Sequence, residues 1–523
     1  MVSSRLAVGL VVPGPGPVGA GKGLSMREND AKGPEAPSSA VEVAALLAGA
    51  PPERHVHNAI DQIRAHLKSS GQRLVVLDDD PTGSQSVHDV PVLTAWSVSD
   101  LSAAMEGPDR VIFVLTNSRS MAAPEAVGVI HEVATNLNEA APHLVQQIRF
   151  VSRSDSTLRG HFPDETDELQ AVASGGARPY NGVLLCPAFF EAGRVTIDDI
   201  HWTTVGDRLV PVGDTEFARD RAFGYTSSNL RDWVVEKSGG RIGRDDVASL
   251  SLSAIRLGGP PAVRDALAQL DGGQTIVVNA AAYSDLEVVV LGLLEAESQG
   301  RRFICRTGPS FVRVRAGIHS RGPLKTSDLY PDGARSGHGL VVVGSHTAQT
   351  SRQMAAATGH CVLAECEIQV PRLLQDDTAF AAEVDRVITQ VTAALRQQNV
   401  LLFTSRTVAP TSEAAGALTA SARVSKALTA VVAGIVPRQP LRWLVAKGGI
   451  TSSDLATRGL GVRAARVLGQ IFPGMVSVWR LEIGGTNTVG MPYVVFPGNV
   501  GDDWALVRVL ETLQACTAQL EAD

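Results

Sequence analysis

The chain runs to 523 residues, more than a single hydrophobic core organises, so two large domains are the first expectation. Hydrophobic residues make up 44% of it and charged residues 19%, a balance that excludes an intrinsically disordered protein. With 47 basic against 54 acidic residues and a formal net charge of -7, there is no overall basic field to draw nucleic acid or an anionic membrane surface; an anionic small molecule would have to be held by local arginines, helix N-termini and a metal.

Residues 1–54 read as a disordered tail. They open with an apolar stretch that Pro and Gly interrupt almost at once, which argues against a secretory signal. Gly16 to Gly23 meets the spacing of a phosphate-binding loop up to Lys22, then has Gly where Ser or Thr must ligate magnesium, and linker composition follows where a helix is needed. Met26 is a candidate start. No run approaches the roughly 18 apolar residues of a membrane helix. The five cysteines are scattered, with no CxxC pair and no His at zinc-ligand spacing, so they read as reduced, packed thiols of a cytoplasmic protein.

An amphipathic helix is predicted over Val56 to Leu67. The apolar run Arg73 to Leu77 then reads as a buried strand ending on Asp78-Asp79-Asp80-Pro81-Thr82-Gly83. Further strands are expected at Val111 to Leu115, Ile148 to Val151, Val183 to Cys186 and Thr275 to Val278, with helical periodicity between them, as over Pro124 to Asn138. This alternation makes residues 55–316 an α/β domain. Residues 317–339, rich in Gly, Ser, Pro and Asp, read as a linker. A second α/β domain, 340–523, carries strands at Leu340 to Val343, Val400 to Phe403, Arg442 to Ala446 and Tyr493 to Phe496, with a helix starting near Leu455.

Three polar clusters follow strands of the first domain, where open α/β sheets bind ligands. Asp78-Asp79-Asp80 places three mutually repelling carboxylates together, an arrangement suited to a cation or a hydroxyl-rich ligand, or else to a solvated, capped turn. Ser152 to His161 is dense in hydrogen-bonding groups. Arg159 there can clamp a carboxylate bidentately while Asp155 accepts from hydroxyls; the alternative is a cap with a surface ion pair. Thr116-Asn117-Ser118-Arg119 is a weaker signal. In the second domain, Lys447 to Asp454 reads as a phosphate cradle whose glycines let backbone amides approach an oxyanion. Gly344-Ser345 and Pro497 to Gly501 are further small-residue turns, and the absence of GxGxxG after a strand favours a mononucleotide over NAD.

These residues resemble the four-carbon acid sugar kinase family. Its DDxTG signature appears as Asp79-Asp80-Pro81-Thr82-Gly83, its strand-end element as Leu115 to Arg119, and its DSTLRG signature as Asp155 to Gly160. Pro187-Ala188-Phe189 with Gly193-Arg194, and the Pro473-Gly474-Met475 turn, also look like family segments. Pro81, Ser84, Arg153 and His161 depart from the usual pattern around the substrate and leave its identity open. The resemblance implies a substrate-binding and a nucleotide-binding α/β domain flanking an active-site cleft, with ATP and Mg2+ as cofactors and a small sugar acid such as threonate, erythronate or a 3-oxo-tetronate as substrate. It further implies that Asp79 or Asp80 takes the proton of the attacking hydroxyl, and that Arg119, Asp155, Ser156 and Arg159 hold the acid. Ser345, Gly448, Gly449, Thr451 and Gly498 would hold ATP. No protein metal cluster is expected, and a homodimer is a family-level expectation. The competing readings are a non-catalytic sugar-acid or nucleotide binder and a nicotinamide-dependent sugar-acid oxidoreductase.

Overall fold

The computed structural model describes residues 40–173, 179–331, 333, 335–405 and 414–514. The expected tail up to residue 39, with Gly16–Gly23 and Met26, lies outside the described residues. The remainder of that expectation does not hold: a helix forms over Val43–Leu47 and Val41 pairs with Leu209, because Val41, Leu46 and Leu47 find an apolar surface around Trp202 and Leu252.

In chain order the strands are β1 (Arg73–Asp78), β2 (Val90–Leu93), β3 (Val111–Leu115), β4 (Ile148–Arg153), β5 (Gly182–Cys186), β6 (Arg194–Ile197), β7 (Ile200–Val205), β8 (Arg208–Pro211) and β9 (Ala248–Leu250). They continue as β10 (Gln274–Val278), β11 (Phe303–Thr307), β12 (Leu340–Val343), β13 (Leu363–Ile368), β14 (Asn399–Thr404), β15 (Leu444–Lys447), β16 (Ala464–Gln470), β17 (Ser477–Ile483) and β18 (Pro492–Phe496). The runs VIFVL and LVVV of β3 and β12 are buried at every position, as strands covered by helices on both faces must be.

Among the described residues, β6 to β8 form a small antiparallel sheet and the other strands form one continuous sheet, ordered 13-14-12-15-18-17-16-2-3-1-4-11-5-10-9. The N-terminal strands are mutually parallel, and so are β12 to β15 with β18. An antiparallel seam joins the two sets: β16 pairs with β2 on one side and β17 on the other, and β17 pairs with β18. The two parallel sets therefore run in opposite senses, which in a flat sheet would put their carboxyl ends on opposite edges. Six steps separate β1 from β15, and a twist of roughly 20–25° per step accumulates to about 120–150°, swinging the two carboxyl edges toward each other. The site lies where they meet.

Residues 317–339, expected as a linker, contain a helical turn at Thr326–Leu329, and Leu324, Leu329 and Tyr330 pack in the second core with Trp443 and Phe496. No described helix is long and apolar enough to cross a membrane.

Candidate functional site

The winding of the sheet reverses around β1, which has β3 on one side and β4 on the other, so three chain turns converge at their carboxyl ends. After β1, Asp80 remains extended and its carboxylate accepts from the Thr82 amide at 2.8 Å and from the Thr82 hydroxyl, capping a short helical turn over Pro81–Ser84. Pro81 needs no hydrogen-bond acceptor at the first position of that turn. Gly83 lies against the Asp78 carboxylate: a Cβ there would stand 1.9 to 2.2 Å from its atoms.

The turn after β3 is bound to the end of β1. The Asp78 carbonyl accepts from the Thr116 and Asn117 amides, and the Asp79 carbonyl from the Arg119 amide at 3.2 Å. Arg119 is thereby delivered to the acidic cluster. Its guanidinium lies 2.8 Å from Asp80, 3.4 Å from Asp79 and 3.4 Å from Asp155. Burial acts to lower its pKa, but these carboxylates outweigh burial and raise it far above the ordinary value.

After β4, the Asp155–Gly160 turn is supported from below. Arg306 on β11 bonds Ser152 and Glu165, and Glu165 accepts from Ser118. His201 meets the Ser156 carbonyl at 2.8 Å, the Tyr225 hydroxyl donates to the Thr157 carbonyl at 2.6 Å, and Arg194 donates to the Ser156 hydroxyl at 2.6 Å. Gly160, at φ 127°, faces Arg306 and Asp79, which a Cβ would approach to 2.9 and 3.3 Å.

Environment separates the carboxylates. Burial pushes Asp78 up to about 7 and Asp79 up to about 6, even though Arg153 and, for Asp79, Arg119 pull the other way. Burial acts to raise Asp80 too, but Arg119 and the Thr82 hydrogen bonds outweigh it, leaving Asp80 below its ordinary 3.8. Asp155 is held lower still, because Arg119, Arg159 and Arg194 outweigh its burial. One oxygen of Asp79 is sealed from solvent without a hydrogen-bond partner.

On the other side, Lys447 ends β15 and Gly448 turns at φ 128°, where a Cβ would stand 3.1 Å from the Thr451 hydroxyl oxygen. The helix begins at Gly449, not near Leu455 as expected, and passes into a wider helical turn over Leu455–Gly459. Its weak helix-forming run Ile450-Thr-Ser-Ser is held by tertiary bonds: the Ser452 hydroxyl donates to the Ala446 and Gly448 carbonyls, and the Tyr493 hydroxyl donates to the Ser452 carbonyl. A Cβ on Gly344 would lie 2.1 Å from the Thr451 hydroxyl oxygen, and one on Gly498 2.5 Å from the Ser345 hydroxyl oxygen. Thr347 and Thr350 donate to the Gly498 carbonyl at 2.9 and 2.8 Å, and Gln353 holds the Val500 carbonyl at 2.9 Å.

The catalytic, substrate-binding and nucleotide-binding candidates expected from the sequence fall into two groups. Asp80, Arg119, Asp155, Ser156 and Arg159 line one cavity of about 560 Å³ whose opposite wall includes Gly449, Gly474 and Pro497–Gly501. Asp79 sits behind Asp80 and off the cavity. Arg159 is partly committed, its Nε lying 2.6 Å from Asp155. Ser345, Gly448 and Thr451 cluster beside a mostly apolar recess of about 240 Å³ lined by Val370, Val424, Leu428 and Ile450. The halves touch at the site: a Cβ on Gly449 would stand 3.7 Å from the Asp80 carboxylate, and one on Gly474 2.4 Å from the Glu191 side chain.

Sequence reasoning placed Arg153 near the substrate and Arg194 in a family segment but gave neither a binding role; both line the cavity. Arg153 was legible in principle, since it ends β4 in register with Asp78 and pairs with it at 3.2 Å. Arg194 lies far along the chain from the clusters, and only the folded hairpin of β6 and β7 brings it in. Among the described residues no group of three or more His, Cys, Asp or Glu is arranged to hold a metal ion. Glycine turns with no room for a Cβ fit phosphate oxygens approaching backbone amides. Magnesium characteristically binds through one or two carboxylates plus substrate phosphates, and Asp80 at this cradle fits that pattern.

Comparison with known proteins agrees with this division. A sugar-binding N-terminal domain matches residues 74–315 and a nucleotide-binding C-terminal domain matches residues 340–506. A Salmonella typhimurium LT2 structure, provisionally named a tRNA synthase, is similar at 18% identity and a TM-score of 0.60, covering 84% of this chain and 98% of its own. A Haemophilus influenzae protein of family DUF1537 is similar at 17% identity and a TM-score of 0.56, covering 84% and 99%. At these identities the likeness establishes the fold alone. Among the curated proteins no relative matches the chain.

Proposed function

The chain belongs to the two-domain four-carbon acid sugar kinase family, and from that premise we propose that it transfers a phosphoryl group from ATP to a hydroxyl of a small sugar acid. The observation that carries this reading is the meeting of Asp80 with Gly449: a carboxylate of the sugar-binding half adjoins the first residue of the helix that follows the Lys447-Gly448 turn of the nucleotide-binding half. Bound ATP would supply the transferable phosphoryl group, and Mg2+, which Asp80 would help to hold on the phosphates, would neutralise its charge.

The chain's own residues then have mostly positioning to do, since phosphoryl transfer asks little covalent chemistry of the protein. Asp80 orients the attacking hydroxyl and takes its proton. Its exposure to the cavity favours it over Asp79, whose side chain is 3% exposed against 24% for Asp80. Asp79 and Asp155 fix Arg119, which stabilises charge beside the reacting oxygens. Asp155, Ser156 and Arg159 receive the acceptor's other polar groups. Ser345, Thr451 and the backbone amides at Gly448, Gly449 and Gly498 hold the phosphates, and the apolar recess beside Ile450 suits a nucleobase.

The test is product formation. Incubation with MgATP and a panel of four- to six-carbon sugar acids, followed by phosphorus NMR, is expected to give an acid phosphomonoester and ADP with one or a few acids. ATP binding with no phosphomonoester from any acid would overturn the reading.

A further inference from the structure

Four arginines line the cavity, Arg119, Arg153, Arg159 and Arg194, and three of them have carboxylate partners within the protein. Arg119 is shared by Asp79, Asp80 and Asp155; Arg153 pairs with Asp78 and Asp79; Arg159 pairs with Asp155. Arg194 differs. Among the described residues no carboxylate lies within 4.0 Å of its guanidinium, the Nη1 group donates to the neutral Ser156 hydroxyl, and the Nε is sealed from solvent without an acceptor.

Its surroundings hold it in that state. The guanidinium lies 5.5 Å from the Phe217 ring centre and 5.8 Å from that of Phe189, faces that steady a cation without neutralising it. Its backbone is fixed on both sides: Arg194 and Phe189 exchange hydrogen bonds, and Gly193 at φ 63° makes the turn, packed against Thr204 so closely that a Cβ would meet its hydroxyl oxygen at 2.1 Å. Burial acts first on its pKa, lowering it, and the more distant Asp155 does not restore it. A half-buried guanidinium with no carboxylate within 4.0 Å is costly, and it is retained where an anion completes it.

We propose that Arg194 binds the carboxylate of the sugar acid and makes the cavity selective for acids, with Ser156 and the two phenyl rings holding its planar fork toward the ligand. The proposal rests on the kinase reading for the class of substrate and moves the carboxylate from Arg159, whose Nε is already taken by Asp155. Arg159 is left to the hydroxyl-bearing part of the acceptor.

The experiment is calorimetric titration of the full-length protein with threonate and erythronate, and separately with MgATP, for wild type, Arg194→Gln, Arg194→Lys and Arg159→Gln. Arg194→Gln is expected to weaken acid binding about 100-fold with nucleotide affinity unchanged, the loss typical of removing one partner of a hydrogen-bonded charge pair that the ligand itself covers. Arg194→Lys keeps the charge but not the fork, and is expected to fall between wild type and Gln. Wild-type acid affinity in Arg194→Gln, a larger loss in Arg159→Gln, or parallel loss of acid and nucleotide binding would each overturn the assignment. Wild-type protein that binds no acid of the four- to six-carbon panel, threonate and erythronate included, would overturn the sugar-acid reading itself, a result distinct from those three.

Discussion

Asp79 illustrates how burial and pairing divide labour between adjacent residues of one type. Asp80 keeps a low pKa and faces the cavity, whereas burial raises Asp79 to about 6. Protonating Asp79 removes one of the carboxylates that hold Arg119, so activity is expected to fall as pH drops through about 6. The pH profile of kcat/KM should show that acidic limb, and Asp79→Asn should lower the plateau and abolish the limb. Stability follows the opposite sign. The folded chain keeps protons on Asp78 up to about 7 and on Asp79 up to about 6, which the unfolded chain releases near 3.8, so their contribution to stability declines as pH rises through that window. The loss in Tm between pH 5 and pH 8 should therefore be smaller in Asp79→Asn than in wild type.

At the scale of elements, the site is set by turns that close approach makes specific. Gly83→Ala would drive a methyl into the Asp78 carboxylate and is expected to cost about 1–3 kcal/mol, read by chemical denaturation. Gly128→Ala, exposed in the helix Ala123–Ala140 with nothing within 4 Å, is expected to stabilise by about 1 kcal/mol in the same assay. Strands β3 and β12 were legible end to end, because parallel strands covered on both faces are continuous apolar runs. Strands β6, β16 and β17 were not, since Arg194, Arg466, Arg480 and Glu482 break the apolar pattern and take their places only through pairing with other strands. The helix at Gly449 was placed late for a related reason: tertiary bonds to Ser452 override a local run that disfavours helix.

At the scale of the whole molecule, the two-domain division was readable from composition and motif order, but the continuous sheet was not. Its seam joins residues more than 350 apart in sequence, Arg466 to Asp109 at 3.0 Å and Trp479 to the Ser84 hydroxyl at 3.1 Å, and no local signal announces such pairs. The same gap explains the candidate site. Asp80, Arg159 and Gly448 were identifiable as polar or glycine-rich strand ends, whereas Arg194 required the hairpin to be folded. Because the seam and the accumulated twist bring the Asp80 and Gly449 edges together, the central claim is that one catalytic site is shared by both halves. It is tested most directly by acid-dependent ADP release from wild type, Asp80→Asn and Gly448→Ala under identical MgATP and sugar-acid concentrations. Turnover is expected in wild type, with a loss of roughly 100-fold or more in kcat for each variant, one from each half of the chain. Wild-type turnover that survives either substitution would contradict it.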